Sequence, residues 1–178
     1  MTSKDALRIP THRGPGQRDG GPSFISQAGW QRLSDELRTL ITVTRPAAVE
    51  AVTEAAAHGD RSENAEYTYG KRKLRELDRR MNFLNGRLKH VQVINPLTQP
   101  RDRVQFGATV VLEDEDGDEK TWTLVGEDEV DVPRRRISWK SPVGQALLGK
   151  RVGDEVTAMA PGGPRAFDIL KIEYHAID

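Results

Sequence analysis

The chain has no cysteine, which excludes a disulfide framework, a cysteine-ligated zinc site and thiol-based nucleophilic catalysis. No apolar run approaches the ~20 residues of a membrane span, and no apolar segment of the signal-peptide kind follows Met1. A cytoplasmic protein with no membrane partner is the expectation. Aromatic residues make up only 6% of the 178 positions and apolar residues only 36%. Net charge is missing too, because 27 basic residues balance 27 acidic ones. What is plentiful is charge of both signs, at 30% of the chain. Long helices that keep much of their surface in water produce such a balance, and the length allows one or two small domains.

The charge is sorted along the chain. Residues 1–23 are expected to be a disordered arm, since Pro10, Gly14, Pro15, Gly16, Gly20, Gly21 and Pro22 break any periodicity and apolar residues are few. From Ser26 the pattern turns helical: Trp30, Leu33, Leu37, Leu40, Thr44, Ala47 and Ala51 alternate at three- and four-residue steps. Pro46 lies inside this run and is expected to kink it. Tyr67, Gly70, Leu74, Leu77, Met81, Leu84, Leu88 and Val91 repeat the alternation. Gly70 is its weak member, costing about 1 kcal/mol against alanine in a helix interior. Two such runs joined by a short loop must lie antiparallel. About 30 residues per run give a stalk of roughly 45 Å.

The tip of that hairpin is His58-Gly59-Asp60-Arg61-Ser62-Glu63-Asn64-Ala65-Glu66. Asp60 and Glu63 stand one helical turn apart, far from the remainder of the protein. By residue chemistry alone the pair is a capping box, favoured by the helix dipole. A carboxylate pair at the end of a stalk also suits delivery into another molecule's active site. The outer face of the second helix carries Lys71, Arg72, Lys73, Arg75, Arg79, Arg80, Arg87 and Lys89 against Glu76 and Asp78. Such a run is commonly a solvated face, but eight bases on one helix also make a track for phosphates. Tyr67 and Tyr69 beside it offer rings for base stacking, with Tyr67 also fitting the seam.

Pro96 and Pro100 mark a linker over 96–102, after which the period becomes two. Strands are expected over Ala108–Glu113 and Lys120–Val125, joined by the acidic turn Asp114–Asp118, with a third at Ile137–Trp139. The turn's spacing fits no calcium loop. Ser141-Pro142 reads as an N-cap followed by proline at the first helical position, opening a short helix through Leu148. Glu155–Ala160 and Ala166–Tyr174 form a last hairpin around Pro161-Gly162-Gly163-Pro164. The expected class is α+β: an antiparallel helical hairpin over 24–95, then a small antiparallel β domain with a short helix over 103–178.

Three segments together resemble the Gre family of bacterial transcript cleavage factors. They are Gly59-Asp60-Arg61-Ser62-Glu63-Asn64-Ala65-Glu66-Tyr67, then Lys71-Arg72-Lys73-Leu74-Arg75-Glu76-Leu77-Asp78-Arg79-Arg80, which is similar to the GreB branch, then Ser141-Pro142 through Ala146-Leu147-Leu148-Gly149-Lys150 with Val152-Gly153-Asp154. The resemblance implies an FKBP-like C-terminal domain that docks on RNA polymerase, and a coiled coil that enters the polymerase's secondary channel. Under it, Asp60 helps hold a Mg²⁺ shared with the polymerase, and no metal is bound stably by the protein alone. Glu63 positions or activates the attacking water. Lys71, Arg72, Lys73, Arg75, Arg79 and Arg80 guide the extruded RNA 3′ end, and Ser141, Pro142, Ala146, Leu147 and Leu148 contribute to docking. The protein is then no nuclease by itself, and is expected to act as a monomer. A channel-binding polymerase inhibitor, a coiled-coil RNA-binding module and a prolyl isomerase remain as alternative readings.

Overall fold

A computed structural model describes residues 23–57, 65–160 and 163–178. The expected arm through Pro22, the His58–Asn64 segment with Asp60 and Glu63, and Pro161-Gly162 of the last turn lie outside the described residues. Strand β1 (Ser23–Ile25) leads into α1 (Gln27–Thr39), one π-helical turn (Leu40–Thr44) and α2 (Arg45–Ala57). The return helix α3 (Ala65–His90) ends in β2 (Val91–Val93). After a short 3₁₀ turn at Pro96–Thr98 come β3 (Ala108–Asp114), β4 (Glu119–Val125), β5 (Arg136–Ser138), α4 (Pro142–Leu147), β6 (Glu155–Ala160) and β7 (Gly163–Tyr174).

The hairpin of helices is present, and its return arm follows the predicted seam. Tyr67, Gly70, Leu74, Leu77, Met81, Leu84 and Leu88 are all at least half-buried, and Leu84 is fully so. The outgoing arm departs from expectation. Thr44 is partly buried as predicted, but beyond it the inward positions are Ala48, Val52 and Ala55, while the predicted Ala47 and Ala51 are exposed. The π-helical turn explains this slip, because it accommodates one residue more than an α-turn and shifts the seam by one. It ends two residues before Pro46, whose missing N–H and bulky ring forbid a regular turn against Thr42. The expected disturbance at Pro46 is therefore real, and its form is a change of register.

Gly70 is explained by what faces it. A Cβ built there would fall inside the van der Waals envelope of Val52 Cγ2, so the glycine lets the two arms approach near the tip. Gly86, also within α3, meets nothing within 4 Å.

Val91 keeps its predicted inward place, packed against the Ile25, Leu33 and Leu84 cluster at the root of the stalk, but it is not helical. It opens β2, which pairs in parallel with β1, Ser23 opposite Val91 and Ile25 opposite Val93. Ser23 thus belongs to the folded part and not to the arm. Alternation along β1 divides its side chains between two cores. Phe24 enters the β domain, 5.9 Å edge-on from Phe106 and 5.0 Å from Trp139 between ring centroids. Ile25 points the other way, into the root of the stalk with Leu33 and Leu84.

The second sheet has the order β5-β4-β3-β7-β6. Along β3, Ala108, Val110, Leu112 and Asp114 face inward, and a bulge shifts the pairing with β7 between Val111 and Leu112. The sheet is not wholly antiparallel as expected, because β5 runs parallel to β4. The chain reaches β5 through the Glu127–Glu129 turn and a tight reversal closed at Asp131 and Arg136. The 96–102 segment is less of a free linker than predicted, since Pro96 is buried. Asp114 organises the acidic turn, accepting from the N–H of Asp116 (3.2 Å) and Asp118 (3.0 Å) and pairing with Lys120.

Stalk and β domain are joined by polar contacts as well as by β1. Ser26 caps α1 by accepting from Gly29 N–H at 3.0 Å, and its hydroxyl donates to Glu129. The buried Glu129 carboxylate also accepts from the N–H groups of Ser26 (3.0 Å) and Gly126 (3.1 Å). At the end of α3, Arg87 donates to Asp128 (2.5 Å) and Glu127 (2.6 Å). Partial burial disfavours the charged form of Glu127. The hydrogen bond from Arg87 and the charge of Lys140 outweigh it and hold the pKa below the ordinary 4.5.

Two predictions follow the packing. Gly70→Ala gains about 1 kcal/mol of helix propensity but forces a clash costing about 1–3 kcal/mol, so urea unfolding should show a net loss. In a Val52→Ala background the same change should stabilise, as Gly86→Ala should in the unmutated chain. Arg87→Met should cost about 1 kcal/mol at neutral pH, modest because Glu127 is more than a third exposed. A depressed carboxylate pKa gives stability that is complete above 4.5 and fades as pH falls through the folded value. Unfolding curves for the mutant and the unmutated chain should therefore converge as the pH falls below the ordinary carboxylate range.

Candidate nucleic-acid interface

The 26-residue helix α3 carries the basic face. Residues three and four apart are neighbours on a helix surface, so Lys71, Arg75 and Arg79 form one row with Arg72 beside it. All four are exposed. Lys71, Lys73, Arg75 and Arg79 have no ion-pair partner among the described residues. Arg72 has Glu76 only at 3.9 Å, with both side chains largely in water, where such a pair contributes little. Asp78, the other acid of this stretch, is taken by Arg45 of α2 at 2.8 Å. The row is therefore more positive than the sequence count suggests.

Other bases of the helix are engaged within the fold. Arg80 makes a two-pronged contact with Glu36 of α1, at 2.7 and 2.8 Å, and this hydrogen bond draws the Glu36 pKa below its ordinary value. Arg87 closes the junction with the β domain. Arg80 is thus a structural tie between the arms as well as a surface base, and Arg87 is a clamp. Two rings on the stalk stand in water, Tyr69 at 58% exposure and Phe83 at 51%. Arg72 lies over Tyr69 (5.3 Å to the ring centroid) and Arg80 over Phe83 (5.4 Å). Tyr67 is half-buried in the seam, with Lys71 over its ring at 5.2 Å.

The Ser141 segment divides by burial. Ser141 caps α4, accepting from Gly144 N–H at 3.0 Å, and Pro142 at the first helical position is exposed. Leu147 is wholly buried in the β-domain core, so it supports this surface and offers a partner no contact. Ala146 and Leu148 pack partly against the same core. Gly144 sits where a Cβ would strike the Trp139 backbone, which lets α4 lie close over β5.

Sequence reasoning missed the junction residues Glu129, Asp128, Gly29 and Gly126. Ser26 was legible as a helix start, but its partner lies 103 positions away. Among the described residues no group of three or more histidine, aspartate or glutamate side chains is placed to hold a metal ion. No described helix is long and apolar enough to cross a membrane.

Comparison with known proteins bears directly on this arrangement. Residues 23–93 match the family model "Transcription elongation factor, N-terminal" and residues 99–174 the model "Transcription elongation factor, GreA/GreB, C-term". The chain is 48% identical to transcription elongation factor GreB of Neisseria meningitidis serogroup B over 157 residues, covering 88% of this chain and 96% of that protein. It is 47% identical to GreB of Yersinia pestis, covering 88% and 91% respectively. Among solved structures, the GreA factor homolog 1 of Thermus thermophilus aligns over 86% of this chain and 99% of its own, at 25% identity and a TM-score of 0.40. That superposition is loose, and the assignment stands on the sequence matches. Both halves of the molecule, the two-armed stalk and the sheet domain, fall within these matches, and the chain belongs to the GreA/GreB family of transcription elongation factors.

Proposed function

We propose that this elongation factor enters the secondary channel of bacterial RNA polymerase and stimulates endonucleolytic cleavage of the RNA 3′ end in backtracked, arrested complexes. The observation that carries the reading is the row Lys71, Arg72, Arg75 and Arg79, without strong internal partners, on a stalk that leads to the Gly59–Glu66 tip. A structural helix needs no such row; a phosphate track does. The stalk of 24–95 is the part that enters the channel, and the domain of 103–178, of FKBP-like fold, docks outside it with Pro142 at the contact.

Asp60 supplies a hard oxygen donor of the kind Mg²⁺ accepts, and this metal takes only one or two carboxylates at a site completed by others. A second metal in such a site steadies attacking and leaving oxygens. Glu63 lies one turn away in sequence and orients or deprotonates the attacking water. The substrate and the remaining ligands belong to the polymerase, so the protein alone hydrolyses nothing.

Asp60→Asn separates capping from catalysis, because asparagine caps a helix about as well as aspartate. Its melting temperature should be unchanged, while cleavage in stalled complexes labelled at the RNA 3′ end should collapse and recover partly at high Mg²⁺ or Mn²⁺. Glu63→Gln should lose cleavage with less recovery by metal. Full cleavage by Asp60→Asn at low Mg²⁺ would falsify the catalytic role. Arg75→Glu with Arg79→Glu should depress cleavage of deeply backtracked complexes more than shallow ones, with a stronger salt dependence. Pro142→Asp should weaken competition with the unmutated factor for polymerase while the fold persists.

A further inference from the structure

Tyr69 is the most exposed aromatic ring among the described residues of the stalk. It lies outside the seam, on the side of α3 where Arg72 reaches across one of its faces. A guanidinium on one face of a ring orients it and leaves the other face open. Lys73, exposed and one turn on, is the unpartnered base beside the ring, and Arg75 and Arg79 carry positive charge further along the helix. An oriented ring beside such bases is the combination that binds single-stranded nucleic acid: cations follow the phosphates and the ring takes a base on its face.

Phe83 is the instructive contrast. It is almost as exposed and also carries an arginine over its ring, but that arginine, Arg80, is tied to Glu36. Of the bases one turn from Phe83, Arg80 and Arg87 are held by acids of the fold, and Arg79 alone has no ion-pair partner among the described residues. Tyr69 is the better supplied of the two, with both Arg72 and Lys73 one turn on and neither held tightly by an acid of the fold. The charge also decides the occupant, because four adjacent bases complement an RNA strand directly.

We propose that Tyr69 is a base-stacking residue for the extruded RNA 3′ segment, held in place by Arg72. The inference rests on the cleavage reading above and adds a positioning role to it. Stacking tolerates any base, since each has a π-face, so the contact should steady the strand without choosing its sequence.

The test uses backtracked elongation complexes whose extruded RNA carries 2-aminopurine, one position per complex, assembled first without Mg²⁺ so that nothing is cleaved. At saturating factor, verified by competition, the unmutated chain and Tyr69→Phe should quench fluorescence at one or two positions, and Tyr69→Leu should not. With Mg²⁺ restored, Tyr69→Leu should need about fivefold more factor for half-maximal cleavage of deep backtracks, the lower end of base–aromatic stacking. Shallow backtracks, which extrude no base as far as Tyr69, should be cleaved normally, and this controls for folding. Equal quenching by Tyr69→Leu, or no quenching by any form while cleavage proceeds, overturns the stacking role and leaves the cleavage reading intact. Tyr69-dependent quenching without cleavage by the unmutated chain would support the RNA contact and overturn the cleavage reading.

Discussion

The Glu129 carboxylate is the contact on which the relation between the two halves depends. A buried carboxylate is costly unless its oxygens are satisfied, and here the donors come from both sides of the junction. Ser26 supplies its hydroxyl and N–H from the first turn of the stalk, and Gly126 its N–H from the sheet domain. Helix capping and domain joining are thus one hydrogen-bond network. Gly29 and Gly126 sit where a Cβ would collide with that carboxylate, so two small residues far apart in sequence answer to one side chain. Phe24 and Ile25 add the apolar part, each filling a different core from adjacent positions of one strand.

Much of this was legible in the sequence, for reasons tied to particular residues. The return arm has an unbroken heptad alternation from Tyr67 to Leu88, and periodicity of that kind is set locally. Ser141-Pro142 announced the start of α4 because cap and first-turn proline are also local signals. The outgoing arm follows its sequence pattern as far as Thr44 and then slips in register, since a proline signals trouble without saying how the helix absorbs it. The strands β1 and β2 span only Ser23–Ile25 and Val91–Val93, too short for any alternation to emerge. Their pairing, the parallel placement of β5 and the Ser26–Glu129 contact are all settled by tertiary packing.

The basic helix shows how a count of charges misleads in both directions. Arg80 and Arg87 belong to internal ties that hold arm to arm and stalk to sheet. Asp78 is drawn away by Arg45, which leaves Glu76 as the acid beside the outward row. Counting bases therefore overstates how many are available and understates how positive the available ones are. Only the side-chain pairing separates the two groups. The roles proposed for Asp60 and Glu63 rest on the resemblance of their segment to its family.

The stalk is also a lever arm. Its return helix is about 39 Å long at 1.5 Å per residue, so a swing of about 1.5° at the root moves the far end by roughly 1 Å. Displacements of that size can cost a hundredfold in rate where reacting groups must align. Under the cleavage reading proposed above, the angle at the root has to be held closely, which gives a reason for joining it by a buried carboxylate, a strand pair and an arginine with two acidic partners. Aim, for a molecule of this shape, is decided at the end farthest from the target.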